Sequence, residues 1–364
     1  MVKLAIVYDR VNKWGGAERV LLALHEIWPD APLYTAVYDK QHASWADVFQ
    51  VHPSFLQYVP FAKRHHELYP WLTPMAFESF TWDGYDAVLS VTSAEAKDII
   101  TKPGTVHICY CLTPTRYLWS ARADYEQSGI AGRILGTLSP TLRAWDRVAA
   151  SRPDAYIAIS ESVAGRIQTY YRRKVLRVIY PPVDTDKFTA AGKSTKPKEP
   201  YFLCVGRFVP YKRIDLVIAA FNRLGWKLKI IGSGMLESTL KKQAGRTIEF
   251  VGGDLTDSEL VSYYQKCTAF VFAGDEDFGI AAVEAAACGK PVVCPRGTGM
   301  AETVIDGQTG VLYNQQTVAS LIPALRKIRK GWYDSRLCRQ NALRFGEKRF
   351  KEDMQHTVLS LTHI

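Results

Sequence analysis

The chain has 364 residues, of which 47% are hydrophobic, and it carries a formal net charge of +10. The length suggests two domains of ordinary size, and the composition is that of a globular protein. No apolar run approaches the roughly 20 residues that span a bilayer. Because the first residues, MVKLAIVYDR, pass from Met straight into a predicted strand, we expect a cytoplasmic protein without a signal peptide. Much of the positive charge lies in a C-terminal stretch with helical spacing, which does not indicate a nucleic-acid groove.

Two series of short β-rich runs follow one another along the chain. The first comprises KLAIVYD, APLYTAVY, YDAVLSVT, TVHICYC and DAYIAIS, and the second comprises YFLCVGR, KLKIIGSG, TIEFVGG, AFVFAG and KPVVCP. Nearly continuous apolar strands that alternate with helices indicate parallel sheets covered on both faces. The predicted fold class is therefore α/β, with two doubly wound domains that face each other. In such sheets ligands bind beyond the carboxyl ends of the strands.

A glycine pair, Gly15 and Gly16, follows the first strand and precedes an amphipathic run that begins near Ala17. Glycine lets the backbone approach a ligand closely, and a helix N-terminus favours an anion such as phosphate. A plain turn is the alternative interpretation. The pair is not part of a GxGxxG motif, which argues against a dinucleotide site and an NAD-linked dehydrogenase.

Two cations, Arg207 and Lys212, flank Pro210 in the turn after the first strand of the second series. Arg can grip a diphosphate bidentately, and Lys can act on it as a point charge. The alternative is that both are surface charges on a loop. Their common position at a strand end favours an anion site.

Two glutamates, Glu276 and Glu284, bracket the mostly apolar segment EDFGIAAVE. Glu276 falls in a predicted turn and Glu284 about two helical turns further on. A carboxylate can accept two hydroxyl hydrogen bonds, as a sugar ring or a ribose offers. The backbone amides of Phe278, Gly279 and Ile280 are available to anions or hydroxyls. Helix-dipole capping by Glu276 and a solvated Glu284 are the alternatives.

Two short acidic patterns, DED at 275–277 and DTD at 184–186, resemble the DxD pattern that holds a metal on nucleotide-sugars in other folds. Such short patterns recur by chance. Because Arg207 and Lys212 already supply positive charge for a diphosphate, we predict that no metal and no other cofactor is required.

The segment YVPFAKRHHELYPWLTPMAFESF interleaves aromatic residues with Lys63, Arg64, His65 and His66. This pattern fits an interfacial membrane contact or a groove for a lipid-linked acceptor. The alternative is a surface segment, broken by prolines, whose aromatic residues lie partly in the core.

Taken together, the chain resembles the retaining glycosyltransferases of family 4, which have the two-Rossmann GT-B architecture. The resemblance rests on GGAERV, VIYPPVDTDKF, GRFVPYKRIDLVIAAF and EDFGIAAVE, in that order. TPTRYLW and RPDAYIAIS resemble the mannosyltransferases of O-antigen and exopolysaccharide assembly, which use GDP-mannose. The resemblance implies an acceptor-binding domain over 1–180, a nucleotide-sugar-binding domain over 181–345, and a helix over 346–364 that crosses back to the first domain.

The resemblance also implies roles for the residues of the second domain. Arg207, Lys212 and Glu276 would be catalytic: the two cations neutralise the leaving diphosphate, and Glu276 with the amides after it holds the hydroxyls of the donor sugar. Glu284 would hold the ribose, and Val251 would contact the base.

In the first domain the glycine pair would face the diphosphate and the reacting sugar. Arg116 and Tyr117 are the expected acceptor contacts. Family members often have a histidine in this turn, where this chain has Leu112, while His107 falls earlier, inside a predicted strand. We therefore assign no histidine near the reacting carbon.

The function that the resemblance implies is transfer of mannose from GDP-mannose, with retention of configuration, to a glycan acceptor linked to polyprenyl diphosphate. A transferase that uses a UDP-sugar and a nucleotide-sugar epimerase of the same fold remain open as alternatives. We expect a cytoplasmic protein, or a peripheral one on the inner face of the cell membrane, that binds no nucleic acid.

Overall fold

The chain forms two compact units in the computed structural model, which describes residues 2–65, 68–120, 129–191 and 199–362, without the side chains of 129–135. The first unit comprises Met1–Pro182 and Phe350–Ile364, and the second comprises Val183–Arg349. Each unit contains one parallel sheet with helices between its strands. The predicted α/β fold class is thereby confirmed.

The first sheet has seven strands in the order β3-β2-β1-β4-β5-β6-β7, all paired in parallel. All residues of its central strands β1 and β4 are buried, which explains their largely apolar sequences. The strands are β1 (Leu4–Tyr8), β2 (Leu33–Thr35), β3 (Val51–Pro53), β4 (Ala87–Thr92), β5 (Val106–Cys111), β6 (Ala155–Ala158) and β7 (Arg177–Val178).

The second sheet has six strands in the order β10-β9-β8-β11-β12-β13, again all parallel. Its strands are β8 (Phe202–Val205), β9 (Leu228–Ile231), β10 (Ile248–Gly252), β11 (Phe270–Val271), β12 (Val292–Pro295) and β13 (Gly310–Tyr313).

Helices connect the strands in both units. In chain order they are α1 (Gly16–Ile27), α2 (Ala62–His65), α3 (Leu72–Glu78), α4 (Gly129–Ala149), α5 (Glu161–Tyr171), α6 (Ile214–Leu224), α7 (Glu237–Gln243), α8 (Asp257–Lys266), α9 (Ile280–Ala287), α10 (Val318–Lys330), α11 (Ser335–Ala342) and α12 (Glu347–Leu361). Short 3-10 helices occupy Ser44–Val48, Phe55–Tyr58, Ala96–Asp98, Pro210–Lys212, Gly299–Thr303 and Leu343–Phe345.

The last helix, α12, is attached to the first unit by ion pairs. Lys351 pairs with Glu26 of α1, and Asp353 accepts a 2.5 Å hydrogen bond from the guanidinium of Arg177 in β7. The side chain of Phe350 lies edge-on to Tyr110 of β5, with 5.9 Å between the ring centroids. These contacts explain why the final residues group with the first unit although they follow the second.

In each sheet the strand order reverses at one point. The reversal lies between β1 and β4 in the first sheet and between β8 and β11 in the second. Ligands of doubly wound sheets bind at such switch points, beyond the carboxyl ends of the strands. The turns after these four strands are therefore where a functional site is expected.

Two further observations concern the state of the cysteines and the length and polarity of the helices. All seven cysteines are buried and none forms a disulfide. Within the described ranges, no helix is both long enough and apolar enough to cross a membrane.

Candidate functional site

Two turns meet at the switch point of the second sheet. The turn after β8 contains the 3-10 helix that ends at Lys212, and the turn after β11 contains Glu276. Lys212 Nζ forms an ion pair with Glu276 Oε2, and the two side chains are only 13% and 20% exposed. Sequence reasoning named these residues separately, and the structure brings them into direct contact.

The two turns are held together by their backbones. Asp275 N–H donates to the carbonyl of Tyr211 at 3.1 Å. Gly274 lies so close that a Cβ atom there would be 2.6 Å from both Lys212 Cα and the Tyr211 carbonyl oxygen. Only a residue without a side chain permits this approach. The position of Lys212 therefore depends on the glycine at 274.

The ammonium group of Lys212 also lies near two aromatic rings. Its Nζ is 5.4 Å from the ring centroid of Tyr211 and 5.5 Å from that of Phe272, which are distances of cation–π contacts. A cation in such surroundings is less screened by water than one on an open surface. Lys212 can therefore act strongly on an anion that reaches it.

The second predicted cation, Arg207, is exposed at the beginning of the same turn. Its Nη2 donates to the hydroxyl of Tyr211 at 3.0 Å. Tyr211 thus contacts both cations, with its hydroxyl on Arg207 and its ring near Lys212. The structure places the two positive charges in one turn, as the sequence predicted, while their role toward a diphosphate stays a prediction.

Helix α9 begins at Ile280, and its cap residue, Gly279, lies three residues after Glu276. This glycine has φ +92, and a Cβ atom there would lie 2.8 Å from Met300 Cγ. Gly299 N–H donates to the carbonyl of Glu276 at 2.8 Å. The first amides of a helix have no partner within the helix, so those near Gly279 and Ile280 suit hydroxyl or anion ligands.

The side chain of Phe278 packs in the core and is not available to a ligand. It is 2% exposed and packs edge-on against Phe345 at 5.4 Å between centroids. Its ring therefore belongs to the core, and only its backbone remains a candidate for ligand contact.

Glu284 lies in α9 and is 3% exposed, so the alternative of a solvated helix residue is wrong. The hydroxyl of the fully buried Tyr264 donates to Glu284 Oε2 at 2.8 Å. Burial of a carboxylate is unfavourable unless it is hydrogen-bonded, which this contact achieves. Its role as a ribose ligand stays a prediction.

Val251 lies in β10, an edge strand that β9 separates from β8. The side chain is half-buried. The expected contact with a base likewise remains a prediction.

The turn after β1 leads to the glycine pair in the first unit. Helix α1 begins at Gly16, one residue before the predicted start, and Gly15 is extended with φ 179. A residue that sequence reasoning missed, Glu18, is buried in the first turn of α1 and accepts a 2.7 Å hydrogen bond from Tyr8. A carboxylate there interacts favourably with the helix dipole. An acidic residue two positions after the glycine pair was the available signal.

The predicted acceptor residues lie in the turn after β5. The hydroxyl of Tyr117 donates to Glu95 Oε1 at 2.6 Å. Glu95, which sequence reasoning also missed, is 7% exposed, and burial raises its pKa although the charge of Arg10 opposes this. Arg116, the neighbouring residue, is half-buried. A buried carboxylate thus stands beside the proposed acceptor contacts.

A buried network anchors this turn. Lys97 Nζ lies 2.6 Å from Asp146 Oδ1, and both side chains are at most 5% exposed. The hydroxyl of Thr115 donates to the same oxygen at 2.7 Å, and the indole of Trp119 donates to the other at 2.6 Å. The turn that carries Arg116 is therefore fixed at both of its ends.

His107 lies inside β5 and is fully buried. Its Nε2 is 2.9 Å from Ser90 Oγ. Burial, with a smaller contribution from the charge of Arg152, lowers its pKa to about 3. Leu112 follows the strand and is 9% exposed. His107 is thus a core residue, and Leu112 occupies the position where family members often have a histidine.

Across the described parts of the chain, no group of three or more His, Cys, Asp and Glu is placed to hold a metal ion. Asp184 of the DTD pattern instead accepts the backbone N–H of Lys187 at 2.8 Å.

The comparison with protein families concerns the second unit. Residues 186–345, which contain Arg207, Lys212, Glu276 and Glu284, match the family described as glycosyl transferases group 1. The match covers less than half of the chain but nearly all of that unit. The turns of the second switch point thus lie in a segment that matches a glycosyltransferase family.

Particular relatives agree with this. A 171-residue stretch is 32% identical to an uncharacterised glycosyltransferase of Methanocaldococcus jannaschii, over 46% of this chain and 47% of that protein. Another is 32% identical over 171 residues to a GDP-mannose-dependent alpha-(1-6)-phosphatidylinositol monomannoside mannosyltransferase of Mycolicibacterium smegmatis, over 40% and 44% of the two chains. The chain spans about half the length of the curated relatives that it matches.

Among solved structures, sucrose-phosphate synthase from Thermosynechococcus elongatus matches with a TM-score of 0.75 over 99% of both chains, at 17% sequence identity. At this identity the likeness shows the fold alone. The fold is that of the GT-B glycosyltransferases, as predicted.

Proposed function

We propose that this protein is a retaining glycosyltransferase that moves mannose from GDP-mannose to a lipid-linked glycan acceptor in cell-surface polysaccharide assembly. The observation that carries the proposal is the contact between Lys212 and Glu276 at a switch point, inside the segment that matches group 1 glycosyl transferases. A cation and a carboxylate in contact are suited to a ligand that has a diphosphate next to a ring of hydroxyls.

In this proposal the charges of the second unit act on the donor. The bond between the anomeric carbon and the diphosphate oxygen breaks while a bond to the acceptor oxygen forms on the same face. The acceptor proton passes to the leaving diphosphate. Lys212 and Arg207 stabilise the negative charge that develops there, and in many enzymes such electrostatic stabilisation contributes most of the rate enhancement. Glu276 accepts hydrogen bonds from sugar hydroxyls and positions the ring.

The remaining donor contacts follow the same logic. The amides of 278–280 bind hydroxyls, Glu284 binds the ribose, and Val251 contacts the base. No metal takes part, because Arg207 and Lys212 supply the positive charge that the diphosphate requires.

The first unit supplies the acceptor side. Gly15 and Gly16 face the diphosphate and the reacting sugar, and Arg116 and Tyr117 contact the acceptor. The domain over 1–180 is accordingly the acceptor domain and that over 181–345 the donor domain. A lipid-linked acceptor would place the protein on the inner face of the cell membrane, without a role in nucleic-acid binding.

Mannose as the transferred sugar has separate support. The Mycolicibacterium smegmatis relative is by name GDP-mannose-dependent, and TPTRYLW and RPDAYIAIS resemble segments of mannosyltransferases. Both point to a guanine nucleotide.

Calorimetric titration with GDP, UDP, ADP and dTDP, with EDTA present, tests this proposal. We expect tight binding of GDP alone, followed by GDP-mannose turnover that yields a product with the anomeric configuration of the donor. Preference for UDP would overturn the donor but leave the site in place. Binding of none of the four nucleotides would overturn the function.

A further inference from the structure

A positively charged surface of the first unit has no role in the chemistry above. Three adjoining pockets, with volumes of about 340, 370 and 380 Å³, are all lined by Lys63 and Arg64. The first is also lined by Asn12 and Lys13, and the second by Lys40. We call Lys13, Lys40, Lys63 and Arg64 the cationic surface. His66, which the sequence pattern groups with them, lies outside the described residues.

Among the described residues of this surface, positive charge exceeds negative charge. One carboxylate, that of Asp39, lines the first two pockets. It is 2.9 Å from His42 Nδ1 and 3.5 Å from Arg64 Nε. Lys40 Nζ is 3.7 Å from Asp47, a pair with both side chains about half-exposed or more. Among the described residues, the four basic side chains thus face the two carboxylates of Asp39 and Asp47, and this excess of positive charge attracts anions.

An apolar surface borders the cations. Phe61 lines the third pocket and is 75% exposed, and the neighbouring Tyr58 is 86% exposed. Two large aromatic side chains so close together in the chain and so exposed indicate a binding surface rather than a core. An aromatic ring next to Lys and Arg is typical of contact with the interfacial region of a membrane.

The backbone of Phe61 supports a functional interpretation. Its φ is +61, in the left-handed region that residues other than glycine rarely adopt. The backbone N–H groups of Arg64 and His65 donate to its carbonyl at 3.1 and 2.9 Å. A disfavoured conformation that presents an aromatic ring to solvent is kept where surrounding contacts enforce it, often at functional sites.

The cationic surface adjoins the switch point of the first sheet. Asn12 and Lys13 belong to the turn after β1, three and two residues before Gly15. Asn12 Nδ2 donates to the carbonyl of Lys63 at 3.2 Å, and so ties this turn to α2. A molecule bound between Lys13 and Lys63 would therefore lie beside the turn that carries the glycine pair.

We propose that the cationic surface binds the phosphate groups of a membrane-embedded lipid phosphate, with the lipid chain against Phe61 and Tyr58. The charge excess accounts for the phosphate and the exposed rings for the chain. That this lipid carries the acceptor glycan rests on the proposed function, whereas binding of the lipid phosphate does not.

Vesicle flotation with the full chain tests the proposal. The probes are phosphatidylcholine vesicles alone, with polyprenyl diphosphate, or with phosphatidylglycerol at matched charge. We expect flotation with polyprenyl diphosphate, weaker flotation with phosphatidylglycerol and none with phosphatidylcholine alone. Equal flotation with both anionic vesicles, or flotation with none, would overturn the proposal, since a general anionic surface or no surface would then be the explanation.

Variants assign the effect to this surface. Lys63→Ala/Arg64→Ala should weaken binding about thirtyfold, because each basic side chain near an anionic lipid surface contributes roughly a fivefold change in affinity. The control Lys242→Ala/Lys330→Ala removes two exposed charges of the second unit and should bind like the wild type. Equal affinity of the two double variants would refute the assignment.

Phe61→Gly separates lipid contact from folding. It removes the ring and also the unfavourable left-handed geometry, so its melting temperature should not fall while its vesicle affinity does. Undiminished vesicle affinity in this variant would contradict the contact with the lipid chain.

Binding to vesicles can be tested independently of the proposed glycosyl transfer. Lys63→Ala/Arg64→Ala should bind GDP like the wild type, since its substitutions lie outside the second unit. Vesicle binding by a protein that binds no nucleotide would reject the proposed function and leave the lipid surface intact. Nucleotide binding without vesicle binding would reject the lipid surface and leave the proposed function intact.

Discussion

Lys212 and Glu276 are 64 residues apart in sequence and share one ion pair. Removal of one partner from a partly buried pair leaves the other charge poorly compensated. In the free protein Glu276 therefore keeps Lys212 ordered at the end of β8, without a ligand. A diphosphate would take over this charge and leave Glu276 to the sugar hydroxyls. The pair thus explains how the site can be preformed.

His107 supplies a test of burial in the first unit. Its folded-state pKa of about 3 lies below the value of 6.5 for an unperturbed histidine. Between pH 6.5 and pH 3 the unfolded chain binds a proton that the folded chain does not. The free energy of unfolding therefore decreases as the pH falls through this range. His107→Gln should remove up to about 1.4 kcal/mol per pH unit of this dependence. Urea unfolding at several pH values between 3 and 6.5 measures this dependence. If the free energy of unfolding of wild type and variant changed with pH in the same way, burial would not suppress the protonation of His107.

At the residue scale, sequence reasoning named candidate site residues where a predicted strand ends. Arg207, Lys212 and Glu276 could be named because each follows an apolar run. Glu18 and Glu95 could not, because each lies in a sequence typical of a helix or turn with solvated acids. Their burial depends on neighbours elsewhere in the chain: the hydroxyl of Tyr8 donates to Glu18, and that of Tyr117 donates to Glu95.

At the scale of the elements, the close contact between the turns after β8 and β11 leads to a prediction about stability and turnover. Gly274→Ala would place a Cβ atom 2.6 Å from the backbone of Lys212 and Tyr211. The turns must then separate, which we expect to destabilise the second unit by about 1–3 kcal/mol. Turnover should fall with it, because Lys212 moves.

Gly165→Ala is the matched control for this substitution. Gly165 is exposed within α5, and an added Cβ atom there would meet nothing within 4 Å. Alanine should stabilise the helix by about 0.5–1 kcal/mol. Thermal unfolding of both variants measures the two effects. If Gly274→Ala melts like the wild type and retains turnover, the close approach of the two turns is unnecessary for the site.

The strands show what element patterns can and cannot predict. Every β-rich run named from the sequence contains a strand. The missed strands, β3, β7 and β13, all lie at sheet edges. β3 and β7 are two or three residues long and lack a buried apolar run. An edge strand is paired on one side only, so its residues need not be continuously apolar, and pairing rather than composition defines it.

For the whole molecule, alternation of apolar strands and helices was enough to predict two doubly wound domains, and the GT-B likeness confirms the fold. The stretch VIYPPVDTDKFTAAGKSTKPKEP, which is rich in proline, lysine and glycine and separates the two series of β-rich runs, was a less informative guide to the domain boundary. The two units divide after Pro182, near its beginning, and residues 192–198 lie outside the described ranges. Proline and glycine mark irregular backbone but not which unit it packs against. The donor and acceptor could not be derived from the fold, since one fold hosts many functions.

The central claim is that Lys212 binds the diphosphate and Glu276 the sugar of one nucleotide-sugar. It is tested most directly by calorimetric titration of GDP and GDP-mannose into the wild type, Lys212→Ala and Glu276→Gln. Lys212→Ala should bind both ligands about tenfold to a hundredfold more weakly, as expected for a lost charge-assisted contact. Glu276→Gln removes a negative charge beside the phosphates, so it should bind GDP at least as well as the wild type and lose only the affinity that mannose adds. Unchanged GDP binding by Lys212→Ala, or equal weakening of both ligands by Glu276→Gln, would contradict the account.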